Sequence, residues 1–134
     1  MHEVATLGRH CILEVYDSNP DHLNNEDFIK EAIQKAVTRS GATLLQLISH
    51  KFEPQGVTAL ALLSESHISI HTWPELNYAA IDVFTCGQHT NPDAACEVLK
   101  QELEAGGSIT KIFSRASHGL TTGASSSVSP AYPA

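Results

Sequence analysis

Residues 43–84 read TLLQLISHKFEPQGVTALALLSESHISIHTWPELNYAAIDVF, and this stretch decides the fold. Thr43–Phe52 and Val57–Leu63 are apolar runs separated by Pro54, Gln55 and Gly56, a turn-forming trio. His67–Thr72 alternates imidazole or hydroxyl with isoleucine, the period-two pattern of a half-buried strand. Pro74 ends it, because proline cannot donate to a sheet ladder. Tyr78–Phe84 then places Ala79, Ile81 and Val83 on one face. A parallel crossover needs about a dozen residues or more, and the connections here are far shorter. The four strands are therefore expected to pair antiparallel.

Outward from this block, Arg9–Tyr16 predicts another strand, and Asp17–Asn25 reads as a polar turn. Glu26–Ser40 predicts a helix, with Phe28, Ile29, Ala32, Ile33, Ala36 and Val37 on one face. Asn25 suits its N-cap, Glu26 and Asp27 its positive end, and Gly41 its stop. A second helix is expected from Pro92, carrying Ala95, Val98, Leu99 and Leu103 and ended by Gly106 and Gly107. Ser108–Phe113 predicts a last strand. The order β-α-β-β-β-β-α-β implies an α+β two-layer sandwich: a largely antiparallel sheet with two helices on one face. Residues 1–115 are expected to form one domain, and 116–134, rich in Ser, Gly, Ala, Thr and Pro, a disordered tail.

Composition narrows the function classes. The chain has 134 residues, with 8 Lys and Arg against 15 Asp and Glu, a formal charge of −7. A nucleic-acid binder needs a basic stripe, and the basic residues here are scattered. The longest apolar run, Ala59–Leu63, is far short of the ~20 residues a membrane helix needs. Met1-His2-Glu3 opens without a basic or apolar segment, and Cys11, Cys86 and Cys96 form no CxxC. Reduced thiols in the cytoplasm are the expectation.

The chemistry-bearing residues crowd into one segment: Glu65, Ser66, His67, Ser69, His71, Thr72, Trp73, Glu75, Asp82, Thr85 and Cys86. His67 and His71 have the spacing of helical zinc ligands, but four residues of strand span about 13 Å, too far to share an ion. No metal is expected. Cys86 with either histidine suggests a nucleophilic pair, although free cysteines more often only pack. Taken singly, Trp73 reads as core, Ser66 as a turn residue and His67 as a satisfied polar group.

The ordered string Leu63-Ser64-Glu65-Ser66-His67-Ile68-Ser69-Ile70-His71-Thr72-Trp73-Pro74-Glu75, followed by Tyr78, Asp82 and Phe84-Thr85-Cys86-Gly87, resembles the small prokaryotic S-adenosylmethionine decarboxylase proenzymes. The likeness extends to Gly8-Arg9-His10 and to Phe52–Val57, so it covers about residues 8 to 115. Thr58 departs from it, standing where serine is more usual; a hydroxyl is kept and a stiffening methyl added.

The resemblance implies a chemistry that suits these residues. Decarboxylating an amino acid leaves a carbanion, and no standard side chain takes up its charge. Only Lys51 and Lys100 flank the motif, at a distance, so a lysine to anchor pyridoxal phosphate is not evident. The resemblance supplies a pyruvoyl group made from Ser66, by self-cleavage into a β chain of residues 1–65 and an α chain of residues 66–134. It makes His71 the base of the elimination, Thr58 an assistant in processing, and Cys86 the acid that returns a proton to the substrate. Phe52 and Trp73 would sandwich the adenine, and Glu75 would accept from the ribose hydroxyls.

The expected activity is decarboxylation of S-adenosylmethionine, which makes the aminopropyl donor for spermidine synthesis. A pyruvoyl decarboxylase of ornithine or arginine is the near alternative, and a non-enzymatic purine binder the distant one. A homodimer is expected as well. Ser66 and His71 are five residues apart, roughly 16 Å on a straight strand, and the odd spacing turns them to opposite faces. One subunit would present Ser66 and Cys86, and the other Phe52, Thr58, His71, Trp73 and Glu75.

Overall fold

The computed structural model describes residues 7–116. Six strands form one sheet: β1 (Gly8–Tyr16), β2 (Leu44–Lys51), β3 (Val57–Leu63), β4 (Ser66–Trp73), β5 (Tyr78–Cys86) and β6 (Gly107–Arg115). Their spatial order is β2-β3-β4-β5-β1-β6, and every neighbouring pair is antiparallel. Three helices accompany them: α1 (Pro20–Leu23), α2 (Glu26–Ser40) and α3 (Pro92–Glu102). A single 3₁₀ turn, Pro74–Leu76, joins β4 to β5. The expected α+β two-layer sandwich is the observed architecture, with α2 packed along β2 and β3, and α3 along β1 and β5.

Side-chain alternation builds the layers. Cys11, Leu13 and Val15 of β1, Val57, Ala59 and Ala61 of β3, Ile68 and Ile70 of β4, and Ala79, Ile81 and Val83 of β5 point under the helices. Ile29, Ile33, Ala36 and Leu99 close the core from above. Each helix starts where a side chain serves its orphan amides: Asn25 accepts from Phe28 N, and Asn91 from Ala94 N. Helix α2 stops at Gly41, whose φ of 80° is the left-handed cap conformation.

Three details depart from the sequence reading. The Asp17–Asn25 turn contains α1, capped by Asn19 with Pro20 at its first turn. Helix α3 ends at Glu102, ahead of Gly106 and Gly107, with Leu103 as its cap. Strand β5 runs past Phe84 to Cys86, because Thr85 and Cys86 pair with Arg9 and Gly8 of β1. The tail expected over 116–134 lies, from residue 117 on, outside the described residues.

The sheet face away from the helices has a different character. Rows across it join Gln46, Leu62, His67, Phe84, His10 and Phe113, then Ile48, Leu60, Ser69, Asp82, Ile12 and Lys111. Ile48, Leu60, Leu62 and Phe113 are exposed there. Ile48, Leu60 and Leu62 adjoin one another across β2 and β3, and Phe113 lies at the opposite edge of the sheet on β6.

Candidate active site

Ser66 sits where the β3–β4 hairpin turns. Leu63 pairs with Ser66, leaving Ser64 and Glu65 as the two loop residues. The φ of Ser66 is 144°, a conformation natural to glycine and costly for serine, at about 1–3 kcal/mol. The strain falls on the residue whose amide joins Glu65 to β4. The hairpin is held in it from two sides. The Cys86 backbone N–H donates to the Glu65 carbonyl oxygen at 2.9 Å. The Ser66 hydroxyl and the Cys86 thiol are in contact, with Oγ and Sγ 3.4 Å apart.

The Glu65 side chain is anchored too. Its Oε1 accepts from the Thr43 backbone N–H at 3.1 Å, and its Oε2 is 3.0 Å from His89 Nε2. The Ser64 side chain, the Thr43 amide and His89 together pull the Glu65 carboxyl down to about 2 from its ordinary 4.5. A cavity of about 480 Å³ adjoins this end of the sheet, lined by Leu7, Gly8, Thr85 and Gly87 among others. Gly8 is the β1 partner of Cys86, and Thr85 and Gly87 are its chain neighbours.

The remaining candidates gather at the other end of β4. Phe52, Thr58, His71, Trp73 and Glu75 line one cavity of about 300 Å³, together with Gln55, Gly56 and Thr72. His71 Nδ1 is 3.0 Å from the Thr58 hydroxyl, its partner across the β3–β4 ladder. Trp73 is 39% exposed and Phe52 45%, so both rings have surface to offer a flat ligand. The Gly56 φ of 108° and its tight approach to the Thr72 carbonyl shape the turn that carries Phe52. The candidates thus fall into two groups along β4, Glu65, Ser66 and Cys86 at one end and the other five at the other. Ser66 pairs with Thr85, a residue on the helix-covered face, and His71 with Ala80 on the open face.

Other polar residues of the motif have partners elsewhere. Asp82 pairs with His10 at 3.0 Å and accepts from Ser69 on the open face. Thr72 is buried; its hydroxyl accepts from Val57 N and donates to the Leu23 carbonyl, tying β4 to α1. Cys11 and Cys96 are buried in the core, and the Cys96 thiol is pushed up by Cys11 beside it and by burial, which keeps it a protonated packing group. The sequence reading quoted Tyr78 within the motif but gave it no role; its ring stacks on Trp73 at 5.4 Å and on Tyr16 at 5.5 Å, and its hydroxyl donates to Glu14. It missed His89, although the helix-flanking loop between Cys86 and Pro92 was the segment to search.

The strained Ser66 on its hairpin, backed by the Cys86 thiol and amide, and the aromatic cavity at the opposite end of β4 thus share one α+β sandwich. Residues 9–116 match the sequence profile of the S-adenosylmethionine decarboxylase family. The chain is 65% identical over 99 residues to the S-adenosylmethionine decarboxylase proenzyme of Parasynechococcus marenigrum, covering 74% of this chain and 77% of that one. It is 48% identical over 98 residues to the proenzyme of that name from Methanococcus aeolicus, covering 73% and 84%. The adenosylmethionine decarboxylase crystal structure from Aquifex aeolicus superposes with a TM-score of 0.82 at 30% identity, covering 90% of this chain and 99% of that one. The chain belongs to the S-adenosylmethionine decarboxylase family.

Proposed function

We propose that this chain is a proenzyme that cuts itself between Glu65 and Ser66 and then decarboxylates S-adenosylmethionine, making the aminopropyl donor for spermidine synthesis. The observation that carries the reading is the hairpin: Ser66 at a φ of 144°, with the Glu65 carbonyl already on the Cys86 amide. In the first step the Ser66 Oγ attacks the Glu65 carbonyl carbon. Negative charge builds on the Glu65 oxygen, where the Cys86 N–H stands as an oxyanion donor. The C–N bond breaks, the amide becomes an ester, and the strain at Ser66 is released.

His71 then removes the Ser66 α-proton as general base, and the Glu65 carboxylate departs. The dehydroalanine at position 66 tautomerises and is hydrolysed by water, releasing ammonia and capping the new chain with a pyruvoyl group. The hydroxyl of Thr58, bonded to His71 Nδ1, orients that imidazole. A pyruvoyl carbonyl at position 66 supplies the electron sink that amino-acid decarboxylation requires. The Cys86 thiol, 3.4 Å from the Ser66 oxygen, is suited to return a proton to the substrate α-carbon.

The cavity of Phe52, Trp73 and Glu75 favours S-adenosylmethionine over ornithine or arginine. Aromatic plates hold adenine and attract a sulfonium, and a carboxylate accepts from ribose hydroxyls. Ornithine and arginine carry neither an adenine for two plates to sandwich nor ribose hydroxyls for a carboxylate to hold. Separation of the two residue groups along β4 supports an active site shared between two copies, with His71 and its cavity from one copy serving Ser66 and Cys86 of the other. The open sheet face, where Ile48, Leu60, Leu62 and Phe113 are exposed among polar residues, is the surface on which a two-fold pair would meet. Among the described residues no helix is long and apolar enough to cross a membrane. Cys11, Cys86 and Cys96 are all free thiols, which supports a cytoplasmic enzyme. Measuring carbon dioxide release from carboxyl-labelled S-adenosylmethionine, ornithine and arginine tests the function. Release from S-adenosylmethionine alone is expected, and release from ornithine or arginine alone would reverse the assignment.

A further inference from the structure

We infer that His89 is a positioning residue for self-cleavage: through its bond to the Glu65 side chain it holds the scissile carbonyl on the Cys86 amide. The inference rests on the self-cleavage reading above. Glu65 is a loop residue of a two-residue turn, so the β3–β4 ladder pairs the residues on either side of it and not Glu65 itself. Its carbonyl must stay on one donor while the Ser66 Oγ reaches its carbon, and a misplacement of about 1 Å costs rate steeply. Three bonds fix it. Cys86 N–H takes the carbonyl oxygen at 2.9 Å, Thr43 N–H takes Oε1 at 3.1 Å, and His89 Nε2 takes Oε2 at 3.0 Å.

Of these three donors only His89 is a side chain; the Ser64 side chain also acts on the carboxyl but sits in the same two-residue loop, whereas His89 reaches it from a separate loop that is built to present the ring. Thr90 Oγ1 donates to the Cys86 and Gly87 carbonyls at 3.0 and 3.1 Å. Asn91 N–H donates to the Ser40 carbonyl at 2.8 Å, docking the loop on the end of α2. The imidazole lies directly on Gly87, where an added Cβ would stand 3.1 Å from Cε1 and 3.2 Å from Nδ1. The segment that supplies the oxyanion donor therefore also supplies, three residues later, the clamp on the group it serves. Glu65 stays ionised at neutral pH, so it accepts whether His89 is neutral with its proton on Nε2 or fully protonated.

The test is the rate of conversion of full-length chain into two fragments, followed on denaturing gels for freshly translated full chain. His89→Ala should slow cleavage about three- to tenfold, the range for one partly exposed charge-assisted hydrogen bond. His89→Gln keeps a side-chain N–H donor and should recover most of the rate. Glu65→Ala should slow cleavage at least as much as His89→Ala, and combining the two should cost nothing further, since the clamp has already lost its target. Cleavage of His89→Ala at the wild-type rate overturns the inference, and so does a His89→Gln rate no better than that of His89→Ala. Multiplying effects in the double variant would make His89 a purely structural residue of its loop and also overturn it. A wild-type chain that never cleaves sinks the self-cleavage reading itself, and this inference with it.

Discussion

Replacing Cys86 with alanine separates two roles that meet at one residue. The backbone amide of Cys86 holds the Glu65 carbonyl oxygen at 2.9 Å, and its thiol lies 3.4 Å from the Ser66 hydroxyl. Alanine keeps the first contact and deletes the second. Self-cleavage, which draws on the amide, should therefore survive in Cys86→Ala, within about tenfold of the wild-type rate. Turnover, which in the proposed mechanism draws on the thiol as proton donor, should fall about 10²–10⁴-fold, the usual contribution of a positioned general acid. At 1.36 kcal/mol per decade, that is about 2.7–5.4 kcal/mol of transition-state stabilisation. Gels give the cleaved fraction, and carbon dioxide release per mole of cleaved chain gives the turnover. Misplaced protonation should also convert more of the pyruvoyl cap into alanine, which the mass of the α chain reports. A cleaved Cys86→Ala chain with full turnover would remove the thiol from the mechanism. A Cys86→Ala chain that does not cleave would show that the thiol, and not the amide, governs the junction.

Three further outcomes follow from the same geometry. Ser66→Ala and His71→Ala should each fail to cleave alone, yet a co-expressed mixture should cleave the His71→Ala chain, because one site of each mixed dimer is intact; mixed dimers without cleavage would confine the site to one chain. Trp73→Ala removes one plate of the Phe52 cavity and should raise KM for S-adenosylmethionine roughly two- to tenfold with a smaller change in kcat, read from initial rates. The Glu65 carboxyl, held near 2 against an ordinary 4.5, should favour the fold fully above about pH 4.5 and lose that contribution as pH falls towards 2. In a cleavage-blocked Ser66→Ala background, the urea midpoint difference between Glu65 and Glu65→Ala chains should accordingly be constant at neutral pH and close across that acid window.

Much of this organisation was legible because it is periodic. Strand β3 and helix α2 have the bounds their patterns predict, since Ala59 and Ala61 alternate with Leu60 and Leu62, and Ile29, Ile33 and Val37 recur at helical spacing. Helix α1 was read as a turn because four residues are too few to show a period; Asn19-Pro20 was the available sign, a cap before a proline. The 3₁₀ turn at Pro74–Leu76 escaped for the same reason. Phe52, Thr58, His71, Trp73 and Glu75 could be grouped from their motif, and they do share a cavity. The clamp on Glu65 could not be foreseen. It depends on a backbone amide 21 residues downstream and a histidine 24 residues downstream, brought together only by the β4–β5 and β1–β5 registers. The role of Tyr78 was hidden similarly: its ring backs Trp73 because the two are ladder partners across β4 and β5.

In the proposed reaction Ser66 becomes the cap of a new chain. Intact mass spectrometry of the purified wild-type protein tests it most directly. The prediction is two polypeptides, residues 1–65 with an ordinary carboxyl end and residues 66–134 lighter than the serine-started sequence by the change from serine to pyruvoyl, with no reactive amine at its start. One polypeptide of the full 134 residues in a preparation that releases carbon dioxide from S-adenosylmethionine would contradict it.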